Sequence, residues 1–252
     1  MSVGIEKRGE VAILRMDKAR ANAIDGPFVE AMIEAVAEVD DAKGVLLASA
    51  HPRVFCPGLD LVALVELDRP AMKQFMARFA TMVEALFGMS KPVVAAIGGH
   101  AVAGGCVLAL TADYRMLKRG GVNIGLNEVR VGVPLPWTVA TLLRASVRPE
   151  RLSEVALLGR NFADEEAVRV GLAQELGDEA NALERLEEFV EKDAVSLART
   201  KQYLRAGALA DMRAHEAEHA DEWLAAWFSD STRARIKETV ASLGKPRGPA
   251  PA

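Results

Sequence analysis

Two cysteines in 252 residues, Cys56 and Cys106, are too few for a disulfide framework, and that scarcity points to a reduced compartment. An excess of positive charge is missing as well. The formal net charge is −4, which removes the electrostatic reason to expect nucleic acid or an anionic membrane as a partner, although a local basic patch can still hold a phosphate-bearing ligand. No apolar run reaches the length of a membrane-spanning helix. The opening Met1-Ser2-Val3-Gly4-Ile5-Glu6-Lys7 has no apolar stretch of the kind that begins a secretion signal. Nowhere do His, Cys, Asp and Glu recur with the spacing of a metal site. A cytoplasmic globular protein is what remains. A chain of 252 residues can bury the core of one large domain, or of one domain with an appendage.

What is present alternates. Val11-Ala12-Ile13-Leu14 reads as a first strand. Pro27 can occupy a first helical turn, after which Phe28, Met32, Ile33, Val36 and Val39 recur at helical spacing. Gly44-Val45-Leu46-Leu47-Ala48 is a short buried strand, and Pro70 opens a long helix with the stripe Met72, Phe75, Met76, Phe79, Met82, Val83, Leu86 and Phe87. Val93-Val94-Ala95-Ala96-Ile97 is another all-apolar strand, followed by a helix through Val107, Leu108 and Leu110. Continuous apolar strands separated by helices predict an α/β fold whose strands are covered on both faces. From Asn181 to Leu243 the character is helical without a convincing strand, so the reading is a core over residues 1–190 and a helical region over 191–252. The latter ends in a breaker-rich stretch, Gly244-Lys245-Pro246-Arg247-Gly248-Pro249, expected to fray. Trp223, Leu224, Trp227 and Phe228 lie on adjacent turns of that region and suit either the chain's own core or a subunit interface.

Two glycine turns and one glutamate carry the chemistry. Pro57-Gly58-Leu59-Asp60 and Ala103-Gly104-Gly105-Cys106 each follow a short apolar run and open a helix, which aims backbone N–H groups into open space. Pro57 has no N–H, so the donor of the first turn is Leu59. Gly98 to Gly105 lacks the Gly-Lys-Ser/Thr ending of a phosphate loop and the spacing of a dinucleotide fingerprint. Glu128 stands in Ile124-Gly125-Leu126-Asn127-Glu128-Val129, where apolar neighbours would raise its pKa and suit it to proton transfer. His100 is a second candidate base or simply a turn residue. Ser49 and His51 lack the context of a nucleophile elbow. Two amide donors on one oxygen, with a carboxylate beside them, form the plan of an enzyme that stabilises an enolate.

These residues resemble the crotonase, or enoyl-CoA hydratase/isomerase, superfamily over about residues 3 to 243. The motifs that carry the resemblance are Asn22-Ala23, Val54-Phe55-Cys56-Pro57-Gly58-Leu59-Asp60-Leu61, Gly104-Gly105-Cys106, and Glu128 with Gly132. The resemblance implies a spiral of β-β-α units with a C-terminal helical trimerisation region, acyl-CoA thioester substrates, no separate cofactor, no metal, and a homotrimer or dimer of trimers. It implies an oxyanion hole from the N–H groups of Leu59 and Gly104, with Glu128 as the catalytic residue. Ala21, Ala23, Pro57, Gly58, Asp60, Leu61 and Asn127 fall where the family holds substrate and CoA. Typical hydratases carry a glutamate directly after Gly-Gly-Cys and a second one where Glu128 stands; here the first position is Val107. Hydration suits two carboxylates, whereas one can carry a proton from C2 to C4. Gly125-Leu126-Asn127-Glu128 with Gly132 and Pro136-Trp137, and Trp227-Phe228-Ser229, are similar to the mitochondrial-type Δ3,Δ2-enoyl-CoA isomerases. An enoyl-CoA isomerase is therefore the expectation. A hydratase, thioesterase or decarboxylase on the same hole, and a non-catalytic acyl-CoA-binding subunit, are the alternatives.

Overall fold

The computed structural model describes residues 2–243, and the stretch from Gly244 to Pro249 lies outside the described residues. The strands are β1 (Val3–Arg8), β2 (Val11–Met16), β3 (Gly44–Ser49), β4 (Val54–Cys56), β5 (Val93–Ile97), β6 (His100–Val102), β7 (Tyr114–Leu117), β8 (Asn123–Gly125), β9 (Phe162–Ala163) and β10 (Glu175–Leu176). The helices are α1 (Gly26–Glu38), α2 (Leu61–Leu64), α3 (Arg69–Phe87), α4 (Gly104–Leu110), α5 (Glu128–Val131), α6 (Trp137–Ser146), α7 (Leu152–Leu157), α8 (Asp164–Val170), α9 (Glu179–Val190), α10 (Ala194–Trp227) and α11 (Asp230–Leu243). None of the described helices is long and apolar enough to cross a membrane.

Two sheets form in parallel. The larger has the order β1-β2-β3-β5-β7-β10, the smaller β4-β6-β8-β9. Each β-β-α unit therefore adds one strand to each sheet: β3 and β4, then β5 and β6, then β7 and β8. Pairing within both series is parallel, with Leu46 opposite Val94 in the large sheet and Ala101 opposite Ile124 in the small one.

The apolar strands bury both faces, as their continuous runs require. Along β3, Val45 and Leu47 enter the main core, whereas Leu46 and Ala48 enter a second cluster covered by Ala182, Leu183 and Leu186 of α9. The expected stripe of α3 is buried throughout, from Met72 to Phe87.

The first strand is β1, ahead of the one read from the sequence. It pairs antiparallel with β2 through a turn at Gly9, whose φ is +59°. As an edge strand with three exposed residues it shows no apolar run.

Candidate active site

Because β4, β6 and β8 run parallel and side by side, their C-terminal ends open at one edge of the small sheet. Each end delivers one of the three segments singled out in the sequence. β4 leads through Pro57-Gly58-Leu59-Asp60 into α2, β6 through Ala103 into α4, and β8 through Leu126-Asn127 into α5, which begins at Glu128.

The two glycine turns are in contact. A Cβ on Gly58 would lie 3.0 Å from the Ala103 Cβ and 3.1 Å from the Gly104 nitrogen, and Gly58 itself has φ +98°. Gly105 is required more severely, since a Cβ there would fall 1.9 Å from the Cys56 carbonyl oxygen. Ala103 takes φ +49° and ψ −121°, a region that L-residues rarely occupy, and is held there by its N–H donating to the Gly125 carbonyl at 2.8 Å.

Leu59 forms a parallel bridge with Ile24. The bridge uses the Ile24 N–H to Gly58 and the Asp60 N–H to Ile24, both at 2.8 Å, so the Leu59 N–H points away from Ile24. The Gly104 N–H belongs to the first turn of α4 and has no intrahelical acceptor. Both residues line one cavity of about 910 Å³.

Ala21, Ala23, Pro57, Asp60, Leu61, Asn127 and Glu128 line the same cavity. Gly58 does not; it lies behind the wall, where its missing side chain lets the two turns meet. Arg20, Ala21 and Asn22 form a run of three positive φ values, 60°, 55° and 67°. Buried Asn22 fastens this run. Its Oδ1 accepts from the Lys18 N–H at 2.9 Å, and its Nδ2 donates to Ser49 Oγ and the Phe55 carbonyl, each at 2.9 Å.

Glu128 is the cavity's unpaired carboxylate. Asp60 also lines the wall, but it pairs with Arg20 at 3.4 Å and Lys18 at 3.7 Å and caps α2 through the Ala63 N–H at 3.3 Å. Among the described residues Glu128 has no ion pair, and its Oε2 is buried without a hydrogen-bond partner. Burial pushes its pKa up to about 7, and the backbone groups of Glu128 and Asn127 pull in the opposite direction. Val107, 1 % exposed, shares the wall. The same burial raises both thiols, Cys56 to about 12, so they pack as neutral side chains.

His100 is not part of the site. It is exposed, and its Nδ1 accepts from the Asn123 N–H at 3.0 Å. Ser49 is likewise structural, its hydroxyl donating to the Val54 carbonyl at 2.8 Å.

Much of the cavity wall is apolar: Phe79, Val139, Trp223, Trp227, Ile236 and Val240 line it. Trp223 and Trp227 stack at 5.3 Å with 19° between their planes, and they are 5 % and 2 % exposed within the single chain. These aromatics belong to the chain's own core, not to a subunit interface. Sequence reasoning missed Arg130, Val131 and the α11 residues Ile236, Thr239 and Val240, which also line the cavity. No local pattern marks them, because α11 reaches α5 across a hundred residues of sequence.

The chain belongs to the enoyl-CoA hydratase/isomerase family, whose model matches residues 6–241. Its relatives divide in name. It is 29% identical over 212 residues to a protein of Proteus mirabilis named carnitinyl-CoA dehydratase, covering 81% of this chain and 80% of that one. It is 28% identical over 178 residues to rat mitochondrial enoyl-CoA delta isomerase 1, covering 68% of this chain and 62% of the relative. In fold it is similar to human mitochondrial delta3-delta2-enoyl-CoA isomerase, with a TM-score of 0.92, 22% identity, and coverage of 96% of this chain and 98% of that one.

Proposed function

We propose that the protein is an isomerase of unsaturated acyl-CoA thioesters that moves a 3-enoyl double bond to the 2-position. The observation that carries this reading is the single unpaired carboxylate, Glu128, in a cavity that is also lined by the apolar Val107. Glu128 takes the C2 proton, and the electron pair of that C–H bond passes to the thioester oxygen as a dienolate forms. The Leu59 and Gly104 N–H groups hold that oxygen as it becomes negative. Losing one such donor typically costs on the order of 3 kcal/mol of transition-state stabilisation. The same carboxyl group returns the proton at C4, leaving the double bond between C2 and C3. A pKa of about 7 suits a group that must both accept and release a proton near neutrality. Val107 offers no second group to activate water, which favours proton return over hydration.

The CoA moiety enters as part of the substrate, with no further cofactor. Ala21, Ala23, Pro57, Leu61 and Asn127 form its channel beside Gly58 and Asp60, and the apolar part of the wall takes the acyl tail. A homotrimer or dimer of trimers fits the first half of α10, where Val195, Tyr203 and Leu204 are 70%, 76% and 80% exposed. A second reading, addition or removal of water on the same oxyanion site, is favoured by the relatives named carnitinyl-CoA dehydratase. Incubation with 3-enoyl-CoA thioesters, followed by absorbance of the conjugated product, tests the proposal. Conjugation faster than hydration of a 2-enoyl-CoA supports it, and the reverse order assigns the chain to the hydratases or dehydratases.

A further inference from the structure

Glu128 begins a helix with little to hold it. α5 has four residues, none of them fully buried as a whole residue, and its N-cap, Asn127, makes no side-chain hydrogen bond to it. Inside the segment, the Gly132 and Val133 N–H groups donate to the Glu128 carbonyl at 3.1 and 3.3 Å. Beyond it, the Gly132 carbonyl accepts one bond from Thr232 Oγ1 at 3.0 Å. Thr232 is 1 % exposed and stands in the first turn of α11. Gly132 has φ +94°, and a Cβ there would lie 2.9 Å from that hydroxyl oxygen and 2.6 Å from Arg235 Nη1, so the approach depends on glycine. The neighbouring residue, Arg233, donates from Nη2 to the Val65 carbonyl at 2.8 Å, the C-cap of α2. One turn of α11 thus grips the C-terminal ends of two helices that flank the cavity. Ile236, Thr239 and Val240, further along the same helix, close the cavity wall.

We infer that Thr232 is a positioning residue for Glu128: its hydroxyl, through the Gly132 carbonyl, ties α5 to α11 and so fixes the carboxylate over the reacting carbons. The inference rests on the isomerase reading for its kinetic consequence, and on geometry alone for its structural one. Of the charged groups, Arg130 on the same helix, Asp60 and Arg20 line the same cavity, and Arg235 of α11 lies against Gly132; the Cys106 thiol of α4 is neutral. None of these changes in Thr232→Val, which removes the hydroxyl and keeps the shape.

The test pairs kinetics with a measurement that needs no turnover. In Thr232→Val, kcat on a 3-enoyl-CoA should fall by about ten-fold or more, since ångström-scale misplacement of a reacting group costs up to about a hundred-fold. KM should stay within about two-fold, because the groups that hold the thioester are unchanged. Carboxyl 13C titration, assigned through Glu128→Gln, should show the Glu128 midpoint falling toward the ordinary glutamate range as water reaches a loosened α5. Thr232→Ser, which restores the donor, should recover both. If Thr232→Val does not fold, Thr232→Ala removes the same bond with a smaller side chain and carries the same expectations. A folded variant with an unchanged midpoint and unchanged kcat overturns the inference. An inactive wild type removes the isomerase reading alone, because the midpoint still reports whether Thr232 sets the environment of Glu128.

Discussion

Gly58 and Gly104, forty-six positions apart in the sequence, touch: a Cβ on Gly104 would stand 3.3 Å from the Gly58 Cα. In the proposed oxyanion hole this contact sets the spacing of the two amide donors, because Leu59 follows one glycine and the other carries its own N–H. Gly58→Ala should therefore damage catalysis before it damages the core. The new methyl would meet Ala103 at 3.0 Å on a backbone with φ +98°. We expect a loss of about 10²–10³ in kcat, the scale for removing one oxyanion donor. Steady-state kinetics with circular dichroism checks this, and a fully active Gly58→Ala enzyme would remove the shared-oxygen geometry.

Glu128→Gln should reduce turnover by roughly 10²–10⁴-fold while leaving affinity for an acyl-CoA almost unchanged. The amide keeps the shape and cannot accept the C2 proton. Calorimetric titration with a non-isomerisable acyl-CoA, beside turnover on a 3-enoyl-CoA, separates the two. A variant within about tenfold of wild type would exclude Glu128 as the proton carrier, and exposed His100 offers no replacement.

The pH dependence has two signs. Activity should rise as pH climbs through about 7, where Glu128 becomes the base. Stability should move the other way. A carboxyl group whose folded pKa is raised binds more protons in the native state between its unfolded value, near 4.5, and about 7, so its contribution falls across that window. Glu128→Gln should accordingly melt higher than wild type at pH 8, with the gap closing near pH 4.5. Thermal melts at the two pH values test this, and an equal gap at both would contradict burial as the cause.

Much of this arrangement was legible in the chain, and the reasons differ by element. Strands β2, β3 and β5 are continuous apolar runs, and α1 and α3 announce themselves by proline and a helical stripe. Strands β4, β6, β8 and β9 have three residues or fewer, too short to show a period. What places them is pairing with each other, which no single segment encodes. The glycine turns and Glu128 stood out locally; that they converge follows from parallel neighbours ending at one edge. Trp223 and Trp227 show the limit from the other side. Their spacing gave one buried face, but only the position of α10 decided that this face belongs to the cavity.

Val107→Glu should add measurable hydration of a 2-enoyl-CoA. The substitution places a carboxylate in the wall that also carries Glu128. Position 107 is 1 % exposed, so the new group will be partly protonated and the gain small. Isomerisation should persist, since Glu128 and both amide donors remain. Parallel assays of the two substrates decide the matter. Wild-type hydration already equal to isomerisation would defeat the one-carboxylate argument.

Assembly should depend on α10. Light scattering should give a trimer or a dimer of trimers, and the double variant Tyr203→Glu, Leu204→Glu should shift the mass downward, since both side chains are largely exposed in the single chain. A wild-type protein that is monomeric and active would assign that face to solvent.

The convergence of three strand ends divides the labour of the site unevenly between main chain and side chain. Any residue except proline can present an amide hydrogen at position 59, so the capacity to receive an oxyanion survives wide drift in sequence as long as the turns keep their shape. In the proposed reaction the fate of the intermediate depends instead on two side chains, at 107 and 128. On this scaffold a change at position 107 should add a second reaction beside the first, because the two amide donors that both would use stay in place.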